Sequence, residues 1–227
     1  MRYLLGKSVS LLDILKAGQE PYHLALRRLT NFYDSKGMGY YSVAKRLVAE
    51  IIKGLPRSAA MVVLNKIRDS RKRELNIAYI DAVYDLINKN DVSFVCSVSK
   101  DYAYQGRVAR TRIVPDAIVR LNGELAVLIF QPRVSLQLDA VTCAMANEIV
   151  MSTCSRSLED VRRLVMVDVH SDRISDGQIF TVEEVMAARS RIEMISQVLR
   201  DIADNKMSKS TSEDADIDVG VLNPVFL

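Results

Sequence analysis

The sequence predicts an α/β domain, and three observations carry the prediction. Up to Asn90 the apolar residues recur at helical spacing, from Val92 the period shortens to that of a strand, and beyond Gln131 a helical stretch separates two runs apolar enough to be buried strands. At 227 residues, with 49% hydrophobic and 26% charged residues, the chain can bury a core without disulfide or metal staples. Tryptophan is absent and aromatics make up only 6%, which argues against stacking on a long run of bases.

Each element has its own signal. In "YYSVAKRLVAEIIKGL", Val43, Leu47, Ile51 and Leu55 lie four apart and Gly54 and Pro56 mark a stop, which makes an amphipathic helix. A second helix is expected from Ser58, as its N-cap, through Met61, Leu64 and Ile67. A third, "RELNIAYIDAVYDLINKN", carries Leu75, Ala78, Ala82 and Leu86 and stops at Asn88-Lys89-Asn90. Short basic helices joined by tight turns suit a helix-turn-helix, although no base-reading helix stands out.

The strand region holds "VSFVCSV", "RVARTRIV", "DAIVRL" and "LAVLIF", the last two joined by Asn122-Gly123. That dipeptide favours the left-handed backbone of a tight hairpin, so a three-strand antiparallel meander is the economical reading. "LAVLIF" is apolar on both faces and should be a central strand covered on both sides. A helix over "LQLDAVTCAMANEIVMS" brings Leu138, Val141, Met145 and Ile149 into register, a turn is expected over Ser157-Leu158-Glu159-Asp160, and "RRLVMVDVH" is a further buried strand. Thr181, with Glu184 three residues on, forms a capping box for a long last helix. The expected organisation is a basic helical region over 1–70, an α/β core with its C-terminal helix over 71–205, and an acidic, disordered tail over 206–227.

The net charge of +3 hides an uneven distribution. Between Tyr22 and Arg73 twelve bases, among them Lys45, Arg46, Lys53, Arg57, Arg71, Lys72 and Arg73, face three acids: Asp34, Glu50 and Asp69. Such a basic stretch is the footprint of a phosphate-rich partner, DNA in preference to RNA, set against the plainer reading of a solvated helical face. Cys96, Cys143 and Cys154 match no zinc spacing and read as buried thiols of a reducing compartment. The apolar run at the N-terminus is too short and too interrupted for a signal peptide, and no run approaches a membrane span, so a cytoplasmic protein with no membrane partner is expected. His23 and His170 have no partner at metal spacing, and the glycines form no phosphate loop.

The stretch "TRIVPDAIVRLNGELAVLIFQPR" sets an acid, Asp116, after Pro115 at the head of one strand and an amide, Gln131, at the end of the next. With the order helix, three-strand meander, helix, strand, this "VPDAIV" segment resembles the PD-(D/E)XK nuclease superfamily over roughly residues 71–170. The resemblance implies a restriction-endonuclease-like core with additional N- and C-terminal helices. It implies that Pro115 and Asp116 take the place of the family's "PD", with Asp116 as ligand of a Mg²⁺ ion and Glu74, on the preceding helix, as a further acid of the metal site. Ile129 and Gln131 fall where the family has its acid and its lysine, so one metal ligand is missing and the catalytic set reduces to Glu74, Asp116 and Gln131.

Phosphodiester hydrolysis needs a hard cation held by carboxylate oxygens, with a lysine or glutamine near the attacking water. The resemblance therefore leads to a nucleic-acid-binding protein with a degenerate metal site. Two alternatives stand beside it: an active Mg²⁺-dependent endonuclease whose missing acid is supplied by Asp139 or Glu148 on the following helix, and an adaptor or assembly protein using the fold for protein contacts. A homodimer is left open. In the leading reading Asp116 and Gln131 meet at one edge of the sheet and Glu74 points to the same place.

Overall fold

The computed structural model describes residues 3–34, 40–104, 108–154, 160–161, 163–171, 174–176 and 179–217. A two-residue strand β1 (Val9–Ser10) opens the fold and is followed by five helices: α1 (Leu11–Gly18), α2 (Tyr22–Asp34), α3 (Ser42–Ile52), α4 (Arg57–Leu64) and α5 (Ser70–Lys89). Five strands come next: β2 (Val92–Cys96), β3 (Lys100–Ala103), β4 (Arg110–Ile113), β5 (Ala117–Leu121) and β6 (Glu124–Gln131). The chain then forms α6 (Ala140–Cys154), β7 (Arg163–Asp168), β8 (Ile174–Asp176) and α7 (Val182–Ile217). The result is a mixed α/β fold with two mixed sheets, and among the described residues no helix is long and apolar enough to cross a membrane.

The larger sheet has the order β2-β5-β6-β7-β8. β2, β5 and β6 are antiparallel neighbours, β7 runs parallel to β6 after the α6 crossover, and β8 returns antiparallel to β7. The meander is therefore β2-β5-β6. "RVARTRIV" does not belong to it: β4 leaves the meander and pairs with β3 and, in parallel, with β1 in a separate three-stranded sheet. Its alternation of bases with apolar residues suits that position, where Thr111 and Ile113 are buried while Arg112 is exposed.

Strand alternation divides the larger sheet's side chains between two cores. Ile118, Val127, Ile129, Leu164 and Met166 point into one, filled by β1, α1, α2, α6 and α7. Ala117, Val119, Leu128, Phe130 and Val165 point into the other, filled by α3, α4 and α5. "LAVLIF" is thus covered on both sides, as its pattern requires. The helices within 1–70 feed the same two cores as the rest of the chain: α1 and α2 lie on one face, α3 and α4 on the other.

Local chemistry fixes the boundaries. Asn122 (φ 50°) and Gly123 (φ 88°) take the left-handed conformations that the two-residue hairpin between β5 and β6 demands. Gly54, at φ 106°, turns the chain out of α3, and Pro56 rather than Ser58 is the N-cap of α4. Asp69 caps α5 by accepting from the Lys72 amide at 2.8 Å. The capping box at α7 is present, with Thr181 N–H donating to Glu184 at 2.9 Å and Glu184 N–H to the threonine hydroxyl at 3.2 Å. α7 runs to Ile217, past the end read from the sequence, because no proline or glycine interrupts its hydrogen-bond ladder before Gly220. The rest of the expected tail, 218–227, and most of the expected turn at 157–160 lie outside the described residues.

Candidate functional site

Asp116 stands in the bend that leads into β5, its backbone N–H donating to the Leu128 carbonyl on β6 at 2.9 Å. Its side chain is almost fully buried, with 1% exposure, and both carboxylate oxygens are engaged. Oδ1 accepts from the Tyr79 hydroxyl at 2.5 Å, and Oδ2 accepts from the Phe130 N–H at 2.8 Å. Lys45 Nζ lies 3.5 Å from Oδ1. A hydroxyl donating to an ionised carboxylate at this distance is a strong, charge-assisted bond. Burial, and then the neighbouring Asp116 charge, push the Tyr79 phenol well above its ordinary value, so it remains the proton donor of the pair.

The other residues of the expected catalytic set do not join Asp116. Glu74 is exposed on the side of α5 away from Asn76, Tyr79, Ile80 and Val83, the helix's buried residues. The inward position on that helix is taken by Tyr79, whose ring packs against Phe130 at 5.3 Å and Tyr41 at 5.9 Å. Gln131 follows Phe130 in β6, yet its fully buried amide turns to the loop after the strand. Its Nε2 donates to the carbonyls of Arg133 at 2.9 Å and Leu136 at 2.7 Å, while its Oε1 accepts the Arg133 N–H. Leu136 belongs to the core opposite that of Tyr79 and Phe130, so the amide and the acid serve different sides of the sheet.

The acids of the following helix are spent elsewhere. Asp139 accepts from the Thr142 N–H at 2.7 Å, capping α6, and Glu148 lies 3.7 Å from Arg189 on α7. Among the described residues no three His, Cys, Asp or Glu side chains converge as a metal site. One carboxylate with both oxygens occupied, beside an ammonium group, is a poor donor set for Mg²⁺. His170 joins the ends of β6 and β7 through its Nε2 and the Pro132 carbonyl, 2.9 Å apart.

A cleft of about 470 Å³ opens between the β1–α1 segment, α3, β4 and the end of β6, with Lys45, the cation next to Asp116, in its lining. Ile129, 4% exposed, lies in its wall, and three cations reach it: Lys45, Arg112 and Arg133. Arg133 is paired with Asp13 at 2.6 Å, and Ser10 donates to the other oxygen of that carboxylate at 2.5 Å. Burial raises the Asp13 pKa, but the hydrogen bond and charge of Arg133, aided by Ser10, outweigh it and hold the carboxyl below its ordinary value. Arg112 forms no ion pair among the described residues; its Nε donates to the Ser99 hydroxyl at 3.2 Å. Tyr41 donates to the Pro132 carbonyl at 2.9 Å; burial raises its pKa against the opposing charges of Arg133 and Arg71.

The remaining bases of the N-terminal region are unequal. Lys53 is paired with Glu50 at 3.1 Å and lies over the Phe94 ring, and Arg57 is paired with Asp81 at 2.8 Å. Arg46 donates to the Ser42 carbonyl at 3.1 Å, Arg73 donates to that of Ile67 at 3.4 Å, Arg71 is exposed and Lys72 half-buried. Sequence reasoning found Lys45 but missed Tyr79, Arg112 and Arg133. Arg112 and Arg133 bracket the "VPDAIV…LIFQ" stretch in the chain, and that placement was the available signal. No family model matches the chain, and neither a curated protein nor a solved structure matches it.

Proposed function

We propose that the chain binds nucleic acid through a nuclease-like core whose metal site is degenerate. The observation that carries this reading is the cationic cleft lined by Lys45, Arg112 and Arg133, with Ile129, the residue expected at the position of the family's acid, in its wall. The path of the chain supports it: a helix, α5, then the antiparallel β2-β5-β6, the α6 crossover and a parallel β7 follow the order of a restriction-endonuclease-like core. The site favours binding over hydrolysis. Asp116 is committed to Tyr79, Phe130 and Lys45, Glu74 faces away, and Gln131 ties down a loop.

The test is duplex DNA binding by the full chain across a salt series, with and without Mg²⁺. Each phosphate neutralised should contribute about −0.9 to the slope of log affinity against log salt. Arg112→Ala together with Arg46→Ala and Arg71→Ala, three exposed cations outside ion pairs among the described residues, should weaken binding and flatten that slope. No cleavage should accompany binding. Affinity insensitive to salt, or no binding at low salt, overturns the reading in favour of a protein-binding adaptor. Mg²⁺-dependent cleavage lost in Asp116→Ala overturns it in favour of an active nuclease.

A further inference from the structure

Resting on the nucleic-acid reading, we propose that the cleft takes one unstacked nucleotide, so that the protein favours strands with single-stranded ends over blunt duplex. The lining is of two kinds. Phe32, Tyr40 and Tyr41 supply aromatic surface, and Lys45, Arg112 and Arg133 supply positive charge. A base with its phosphate has both needs: a π-face to stack on and an anion to neutralise. A space of about 470 Å³ lies in the range of small-ligand sites and is far too small for a duplex.

The aromatic surface is held in place. The Tyr40 carbonyl accepts from Asn76 Nδ2 at 2.8 Å, and Asn76 itself is fully buried and also accepts the Ala44 N–H at 2.9 Å. Tyr41 is fixed by its bond to Pro132 and by the Tyr79 ring. The Tyr40 side chain, 42% exposed, is therefore an accessible ring on an anchored backbone. Arg112, outside any ion pair among the described residues, is the cation most available to a phosphate, because Lys45 and Arg133 already face Asp116 and Asp13. A ring in the cleft requires the base to leave its stack, which costs least at a single-stranded end.

The experiment compares, at one salt concentration, a blunt duplex with the same duplex bearing a three-nucleotide overhang, at either end polarity. The terminal overhang base is 2-aminopurine, whose emission reports stacking. The overhang substrate should bind about tenfold tighter than the blunt one, with a change in emission, and thymidine monophosphate in excess should bring the ratio of the two affinities towards one. Tyr40→Ala should bring the affinity ratio towards one and remove the emission change, whereas Tyr40→Phe, which keeps the ring, should preserve both. Equal affinity for the two substrates overturns this inference and leaves the nucleic-acid reading standing. Binding of neither overturns both.

Discussion

The Tyr79 hydroxyl donates to the Asp116 carboxylate at 2.5 Å and joins the middle of α5 to the entrance of β5. This bond occupies one of the two carboxylate oxygens, and it helps complete the hydrogen bonding of a charge that would be costly to bury alone.

Removing only that donor should expose its worth. Tyr79→Phe keeps the ring against Phe130 and leaves Oδ1 with the half-exposed Lys45 as its remaining partner. Unfolding in urea should show a loss of about 1–3 kcal/mol, and a double-mutant cycle with Asp116→Asn should show coupling between the two positions. Independent, additive effects would mean that the short contact contributes nothing specific.

Gln131 invites the opposite kind of test, because its type suggests catalysis and its contacts suggest structure. Gln131→Leu leaves the Arg133 and Leu136 carbonyls and the Arg133 N–H without their side-chain partner. A loss of about 1–3 kcal/mol is expected from buried groups left unpaired, with duplex affinity per folded molecule unchanged. A stable variant with altered function would assign the amide to the site.

Acid should loosen the N-terminal wall of the cleft. Asp13 has a folded pKa below its ordinary 3.8, so folding favours its ionised form. The stability it contributes is fully present above that ordinary value and is lost as pH falls through the lower folded one. A plot of midpoint temperature against pH should therefore fall more steeply below about pH 4 for the native chain than for Asp13→Asn. Parallel curves would remove Asp13–Arg133 from the account.

Much of the fold was legible because periodicity reports burial. β6 declared itself covered on both faces, Asn122-Gly123 declared the hairpin, and Thr181 with Glu184 declared a cap. The partner of "RVARTRIV" was not legible, since alternation says which side chains are buried but not which strand lies alongside; only the folded chain brings β1 to it. The site was half legible for a related reason. Asp116 could be singled out by its neighbours in sequence, whereas Glu74 and Tyr79, on one helix and five residues apart, differ in which way they face by a rotation that the weakly amphipathic α5 pattern did not settle. The contacts of Gln131 were not legible, because a terminal amide serves equally well to hold a water or to tie down the loop behind it.

The parallel pairing of β1 with β4 brings Val9 beside Thr111, a closure of roughly 100 residues. The β5–β6 hairpin closes over only two intervening residues, so the β1–β4 contact carries much the larger loop-closure cost. The cleft wall built from Ser8, Ser10 and Leu11 therefore depends on that long closure. On the ribosome the consequence is sharper: α1 is made well before β4, so a nascent chain halted before Thr111 presents the part of Leu11, Leu12, Ile14 and Leu15 not covered by α2 to whatever binds unfolded protein.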